Sequence, residues 1–312
     1  MLLAAVMVVV LGACSSDDDG QGSATTTSVA DTARSSTTSV PPATSEPPAT
    51  TEPAAPEPLE DQTPPEAVNG LTVDGDTIWV AALNSDQVLQ VDRETGAILT
   101  RVETPGSSPD DVAVGPDGAV YWTGFADGSV GRIADGASEA IANVGAGANP
   151  IGFTDDGQLI VGRAVTADGL YRVPLDGGEP EEIAPSVGDM NAFVIEGDRV
   201  VGPVGGVLGP GGVNAVDLTT GEVTELGTGF SSGVTASAID PDGQLQLLSA
   251  NGQIWRFDEA TGTVEPALTL APGIYDNLDF APDGMLYVTS FTQPLIVVVG
   301  TDGTQSTLDV GS

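Results

Sequence analysis

Short runs of β-branched and aromatic residues alternate with turns rich in aspartate and glycine along most of the chain. Residues 109–141 show the unit most clearly, with apolar runs at Val112–Val114, Val120–Thr123 and Val130–Ile133 and a fourth run at Glu139–Ile141. β-Branched and aromatic side chains favour strands, and Asp-Gly pairs supply the backbone conformations that tight turns need. The pattern predicts a four-stranded antiparallel meander of about forty residues, a sheet that cannot bury both of its faces alone.

The meander recurs six times between residues 67 and 312. The glycines of the predicted turn between the first and second strands are 39–46 residues apart: Gly75, Gly118, Gly157, Gly197, Gly243 and Gly284. The glycines of the turn between the third and fourth strands are 40–44 residues apart: Gly96, Gly136, Gly177, Gly221, Gly262 and Gly303. The two glycine series are independent, yet they have nearly the same period and the same number of members. They predict an all-β fold, a six-bladed β-propeller with four antiparallel strands per blade.

The register of the repeat predicts how the ring closes. The first strand, Leu71–Val73, is the innermost strand of blade one, and the last, near Thr304–Val310, is the outermost strand of blade six. No strand is left over for a blade shared between the two chain ends, so we expect closure by packing alone. Residues 59–66 could instead add an edge strand to blade six, but the pair Pro64-Pro65 argues against a strand.

Blade four contains a glycine-rich apolar loop at residues 202–212, between its predicted second and third strands. Loops of this kind can cover a site or simply lie on the surface. The sequence leaves both interpretations open, a lid over one end of the channel and a surface loop.

The amino terminus has the character of an export signal. Residues 1–13 are a short apolar run, too short for a stable membrane-spanning helix, and Cys14, the only cysteine, follows directly. The sequence Leu11-Gly12-Ala13-Cys14 resembles the bacterial lipoprotein lipobox. The resemblance implies removal of residues 1–13, a diacylglycerol on the Cys14 thiol, and anchoring at the outer face of the bacterial cell membrane. An ordinary signal peptide followed by an incidental cysteine is the alternative.

Residues 15–66 are rich in serine, threonine, proline, alanine and acidic residues and contain no aromatic residue. Such a segment cannot bury enough apolar surface to offset the entropy cost of ordering it. We therefore predict that segment 14–66, which begins with the lipidated cysteine, is a disordered stalk, and that residues 67–312 are the folded domain.

The charge of the chain excludes several kinds of partner. There are 45 acidic residues against eight basic ones, for a formal charge of −37, with neither lysine nor histidine. Nucleic acids and anionic lipid surfaces require a cationic face, so neither is an expected partner. The absence of histidine and lysine also removes the commonest general bases and the Schiff-base nucleophiles. We expect a monomer whose partner is a small molecule or another protein.

Equivalent positions at the start of each innermost strand contain a short polar side chain. The six residues are Asn69, Asp110, Asn149, Asn191, Thr235 and Asp276. This position lies at one mouth of the central channel of a propeller, where oxygen ligands suit Ca²⁺ or another divalent cation. The candidate ligands are Asn69, Asp110, Asn149, Asn191 and Asp276. Alternatively, these residues open strands by bonding to nearby backbone, as Asn, Asp and Thr commonly do.

The phrases Asn69-Gly70-Leu71 and Pro109-Asp110-Asp111, together with Pro116-Asp117-Gly118, resemble those of the gluconolactonase/regucalcin (senescence marker protein) propellers. In that family the Asn and the Asp that precede inner strands in such phrases bind a divalent metal. The resemblance implies this role for Asn69 and Asp110, and more loosely for Asn149 and Asn191. The metal-binding Glu of the family has no match near the first inner strand here. Virginiamycin B lyase-like and paraoxonase-like propellers have a similar pattern, but their chemistry uses histidine.

Two functional hypotheses follow. The first is a non-catalytic module that binds a small ligand or a partner protein at the channel mouth, with a bound divalent cation as part of the site. The second is a metal-dependent hydrolase of lactones or esters, in which the cation polarises a carbonyl and activates water. In the second case Asp111 would be the general base, because no histidine is available.

Overall fold

The computed structural model describes residues 56–205, 210–230 and 233–311. They form six separate four-stranded antiparallel sheets, each built from consecutive strands. The predicted six-bladed β-propeller is therefore confirmed. The predicted signal peptide, Cys14 and residues 15–55 of the stalk lie outside the described residues, as do residues 206–209 of the glycine-rich loop in blade four.

Each blade runs from its innermost strand to its outermost. The strands of blades one to three are β1 Leu71–Asp74, β2 Thr77–Ala82, β3 Gln87–Asp92, β4 Ile98–Glu103, β5 Pro109–Val114, β6 Val120–Gly124, β7 Ser129–Ala134, β8 Ala137–Asn143, β9 Ala148–Phe153, β10 Leu159–Arg163, β11 Leu170–Val173 and β12 Glu181–Ala184. The strands of blades four to six are β13 Val194–Glu196, β14 Arg199–Val204, β15 Gly211–Asp217, β16 Val223–Phe230, β17 Val234–Ile239, β18 Leu245–Ser249, β19 Gln253–Asp258, β20 Thr263–Thr269, β21 Tyr275–Phe280, β22 Leu286–Ser290, β23 Leu295–Val299 and β24 Gln305–Asp309.

The hydrophobic core lies between the blades rather than within any one of them. Each pair of neighbouring blades shares one cluster of buried side chains, for example Trp79, Val112 and Trp122 between blades one and two. The cluster between blades one and six includes Leu71 and Ile296. Because successive side chains of a strand point to opposite faces, the second and third strands supply both clusters that flank a blade. This arrangement explains why a single meander would be unstable alone.

The Asp-Gly turns determine where each strand ends. In blade two, Gly118 has a φ of +75°, a backbone conformation that strongly favours glycine, and its N–H donates to the Gly115 carbonyl at 2.9 Å. The carboxylate of Asp117 accepts from the Ala119 N–H at 3.1 Å, which starts the next strand. These glycines are therefore explained by turn geometry.

The ring closes without a shared strand, as the register predicts. Blade six contains only β21 to β24, all from the carboxyl-terminal end of the chain. Residues 59–66, predicted as stalk, lie instead along β4 in blade one. The Leu59 N–H donates to the Ile98 carbonyl at 2.8 Å, and the Gln62 side chain accepts from the Ile98 N–H at 2.8 Å. They form no strand, as the two prolines predict.

The single helical element in the described part of the chain is a three-residue turn at Leu83–Ser85. None of the described residues therefore belongs to a helix long and apolar enough to cross a membrane.

Candidate functional site

The five candidate ligands all lie where an innermost strand starts, and hence at one end of the ring. Asp110, Asn149 and Asp276 are in the first two positions of β5, β9 and β21, whereas Asn69 and Asn191 come just before β1 and β13. Asp276 is half-buried, and the other four are buried. The structure therefore places all five at the inner-strand starts that sequence periodicity predicts, and their role as ligands stays a prediction.

Three of the five side chains meet, and they come from three different blades. The Asn69 amide of blade one lies 3.5 Å from the Asp110 carboxylate of blade two. The same side chain lies close to Asp276 of blade six, whose pKa is raised by burial and lowered in part by this amide. Within the described residues, no arginine forms a hydrogen bond or an ion pair with either carboxylate. The group therefore contains one buried and one half-buried acid with one amide, and no described residue supplies a counter-charge.

Burial dominates the electrostatics of this group. It raises the pKa of Asp110 well above its usual range, and the nearby charges of Asp276 and Asp111 raise it further. Burial also raises the pKa of Asp276, to about 6, against the opposing hydrogen bond from Asn69. Both carboxyls are costly to ionise where they are, because a buried charge without a partner loses its hydration.

Asn149 and Asn191 are not tied to this group by any side-chain hydrogen bond that the described residues make. The backbone carbonyl of Asn149 accepts from the Thr123 hydroxyl at 2.6 Å. In blade four, Ala192, next to Asn191, accepts at its carbonyl from the Ser237 hydroxyl at 2.8 Å. The fold therefore places both side-chain amides at the channel mouth without any hydrogen bond to the Asp110 group. Hydrogen bonds from neighbouring blades hold the backbone at or next to these two residues.

At the strand starts, the hydrogen bonds from side chain to backbone are made by the residues that follow Asp110 and Asp276, and not by the five candidate ligands. Asp111 accepts from the Val112 N–H at 2.9 Å, and Asn277 accepts from the Leu278 N–H at 2.8 Å. The strand-opening interpretation therefore describes Asp111 and Asn277. In the candidate column itself, only Thr235 makes such a bond among the described residues, to the Leu248 carbonyl at 3.3 Å.

Asp111, the candidate base, is bonded across the channel mouth. Its Oδ1 atom accepts from the Asn277 amide at 3.0 Å, although the two residues belong to blades two and six. Burial raises the pKa of Asp111 well above its usual range, partly opposed by hydrogen bonds from backbone amides. This carboxyl is a connection between blades, and its role as a base stays a prediction.

Two threonines that sequence reasoning missed hold this framework together. The Thr123 hydroxyl accepts from the Asp111 N–H at 3.2 Å, and the Thr289 hydroxyl accepts from the Asn277 N–H at 3.1 Å. Each also donates to the next blade, Thr123 to the carbonyl of Asn149 and Thr289 to the carbonyl of Asn69. They occupy one column of the second strand, so aligning that column for polar residues would have found them.

Asp279 is a further half-buried carboxyl that sequence reasoning missed. It accepts from the Val73 N–H of blade one and the Phe280 N–H, both at 2.8 Å, and so joins the last blade to the first. Burial raises its pKa to about 6. The available signal was an acid at an inner-strand position where aligned blades have Ala113, Gly152 and Ala238.

The chemistry of the donors suits a hard divalent cation. Among the residues that the structure describes, no three His, Cys, Asp or Glu side chains are grouped as metal ligands. A site here would therefore depend on two carboxylates, Asp110 and Asp276, together with amide oxygens. Calcium accepts this mixture of carboxylate, amide carbonyl and water ligands.

Solved structures of other proteins share this architecture. A virginiamycin B lyase from Staphylococcus aureus superposes with a TM-score of 0.62 at 14% identity, over 81% of this chain and 87% of that one. A gluconolactonase from Xanthomonas campestris has a TM-score of 0.57 at 15% identity, over 73% of this chain and 84% of that one. The chain shares the gluconolactonase fold.

A luciferin-regenerating enzyme also has this fold, with a TM-score of 0.57 at 15% identity over 76% of this chain and 87% of that one. The predicted resemblance to gluconolactonase-like propellers is thus confirmed at the level of the fold. Identities of 14–15% carry no information on activity. No family model and no curated protein sequence matches the chain.

Proposed function

We propose that this protein binds a divalent cation, with Ca²⁺ as the first candidate, at the channel mouth. Asn69, Asp110 and Asp276 would hold the ion, and Asn149 and Asn191 would complete the ligand set. The supporting observation is that a buried and a half-buried carboxyl group lie close to one amide, from three blades, and that no arginine among the described residues pairs with them. A cation would supply the counter-charge that the described residues do not.

The site would serve to bind a small molecule or a partner protein outside the cell. A lipid on Cys14 would anchor the chain at the outer face of the membrane, and the stalk would hold the propeller away from it. The mouth is the end of the fold at which the buried polar groups converge, which is where ligands of such scaffolds are expected.

Metal-dependent hydrolysis of a lactone or ester is the second candidate, and it draws support from the fold shared with gluconolactonases. A bound divalent cation supplies Lewis-acid chemistry at a carbonyl. Asp111 would take up the proton of the attacking water, for which its raised pKa is suitable. However, its Oδ1 atom already accepts from Val112 and Asn277, and this favours binding over catalysis.

Calorimetric titration of the full-length protein with Ca²⁺ tests the cation site. We expect the wild type and Asp155→Asn, an exposed aspartate in a turn, to bind equally. Asp110→Asn should bind at least about ten-fold more weakly, because a charged ligand interaction is worth at least about 1.4 kcal/mol. Equal affinity in Asp110→Asn, or no binding by the wild type, would contradict the proposal. Metal-dependent turnover of a lactone panel, lost in Asp111→Asn, would favour the hydrolase instead.

A further inference from the structure

The carboxylates of Asp110 and Asp276 are close enough for one to raise the pKa of the other, although they belong to blades two and six. Blades two and six are separate sheets and are not neighbours in the ring, so no strand pairing joins these two positions. A side-chain contact between the two blades would fix the spacing of their strand starts.

The residue that follows each carboxylate provides this contact. The Asn277 side-chain amide donates to the Asp111 carboxylate at 3.0 Å. Among the described residues, this is the only hydrogen bond that joins a side chain of blade two to a side chain of blade six. Both partners are buried. A buried hydrogen bond between two sheets that share no strand pairing holds their strand starts at one distance.

Both side chains of this bond are held in place by further hydrogen bonds. The side-chain oxygen of Asp111 accepts from the Val112 N–H, and that of Asn277 accepts from the Leu278 N–H. The backbone N–H of Asp111 donates to the Thr123 hydroxyl at 3.2 Å, and that of Asn277 donates to the Thr289 hydroxyl at 3.1 Å. A bond between two fixed side chains also fixes the spacing of the residues that precede them.

Blade one lies between blades two and six, and it leaves room for the bond at Gly70. A Cβ atom on this residue would lie 2.4 Å from the Asp111 Oδ1 atom and 2.5 Å from the Asp110 carbonyl oxygen. The Gly70 N–H donates to that carbonyl at 2.8 Å. The absence of a side chain at position 70 therefore allows three blades to meet at one point.

We propose that Asn277 is the positioning residue of the channel mouth. Through its bond to Asp111 it fixes the distance between the strand starts that carry Asp110 and Asp276, and so preorganises these two side chains for a cation. This role as a positioning residue rests on the proposed function, because it assumes that the mouth binds a cation. The hydrogen bond between Asn277 and Asp111, which braces blade six against blade two, does not depend on a cation.

The first experiment is metal-free and measures urea midpoints at pH 7 in EDTA for Asp111→Ala, Asn277→Ala and the double variant. Each substitution removes the same hydrogen bond, so the double variant should lower the midpoint by clearly less than the sum of the two single shifts. Asn214→Ala, which removes a single amide hydrogen bond on β15, shares no contact with Asp111 and its shift should add to that of Asp111→Ala. Additive shifts for Asp111→Ala and Asn277→Ala would show that the bond does not brace the two blades and would overturn the proposal.

The second experiment exchanges the two partners and measures Ca²⁺ affinity by calorimetry. Asn277→Asp places two carboxylates face to face and should weaken binding at least about ten-fold. The double variant Asp111→Asn/Asn277→Asp restores a bond of reversed direction and should return the affinity to within about three-fold of the wild type. A double variant as weak as Asn277→Asp would overturn the proposal. Absence of Ca²⁺ binding by the wild type would contradict the cation site alone, and the urea experiment would then decide on the bracing.

Discussion

Asp279 should make the stability of the propeller depend on pH, and the substitution Asp279→Asn tests this. The carboxyl is half-buried at the junction of the last and first blades, where it accepts from the Val73 N–H. Burial raises its pKa from an ordinary value of 3.8 to about 6. The folded state therefore holds this proton more tightly than the unfolded chain does.

The sign and the size follow from linkage. Between about pH 4 and pH 6 the unfolded chain ionises and the folded chain does not, so stability is lost as the pH rises through this window. At about 1.4 kcal/mol per pH unit, the full loss is about 3 kcal/mol, and partial exposure reduces it to about 1–3 kcal/mol. An asparagine stays neutral, so its contribution does not change across this window. Its single carbonyl oxygen cannot replace both carboxyl oxygens, which accept from the Val73 and Phe280 N–H groups, and this cost is independent of pH.

Urea unfolding of both proteins in EDTA, from pH 4 to pH 8, provides the measurement. We expect the free energy of unfolding of Asp279→Asn, relative to that of the wild type, to rise by about 1–3 kcal/mol between pH 4 and pH 7. Asp155→Asn makes the same change in net charge at an exposed turn and should shift stability by no more than about 0.5 kcal/mol. A difference that stays constant with pH, or grows toward acid, would refute the reasoning.

Two further predictions concern the crowding at the mouth and the anchor. Gly70→Ala should lower the free energy of unfolding by about 1–3 kcal/mol in urea titrations, because its Cβ would lie 2.4 Å from the Asp111 Oδ1 atom. Gly152→Ala, where the closest atom would be 3.3 Å away, should have a smaller effect, and an equal effect would contradict the steric explanation. Cys14→Ser should move the protein from the membrane to the soluble fraction of cells, and retention in the membrane would contradict the lipid anchor.

The fold could be predicted from the sequence because each blade obeys local rules. Turn glycines such as Gly118 and Gly157 recur with the period of one sheet, and apolar residues at alternate positions identify the faces that pack. Neither signal depends on how distant parts of the chain meet. The absence of a shared closing strand also follows from local register, because the first strand of the repeat is the innermost of its blade and the last is the outermost.

The candidate site could be predicted only in part, because its contacts join blades that are far apart in sequence. Alignment of the repeats identifies Asp110 and Asp276 as equivalent and places both at one mouth. It cannot reveal that Asn277 bonds to Asp111, 166 residues away, since that bond depends on the space left at Gly70. Asp279 was missed for a similar reason, since its partner is a backbone amide of another blade.

The position of the candidate site at the junction of the first and last blades has an energetic consequence. No strand crosses this junction, so closure at the axis depends on polar contacts such as Asp279 with Val73 and Thr289 with the carbonyl of Asn69. The side chains that would hold a cation come from blade one, blade two and blade six, on both sides of the same junction. A cation bound there must favour the closed ring over any opened form that separates its ligands. At one hundred times its dissociation constant, it would add about 2.7 kcal/mol to the closed state, comparable to what ionisation of Asp279 removes.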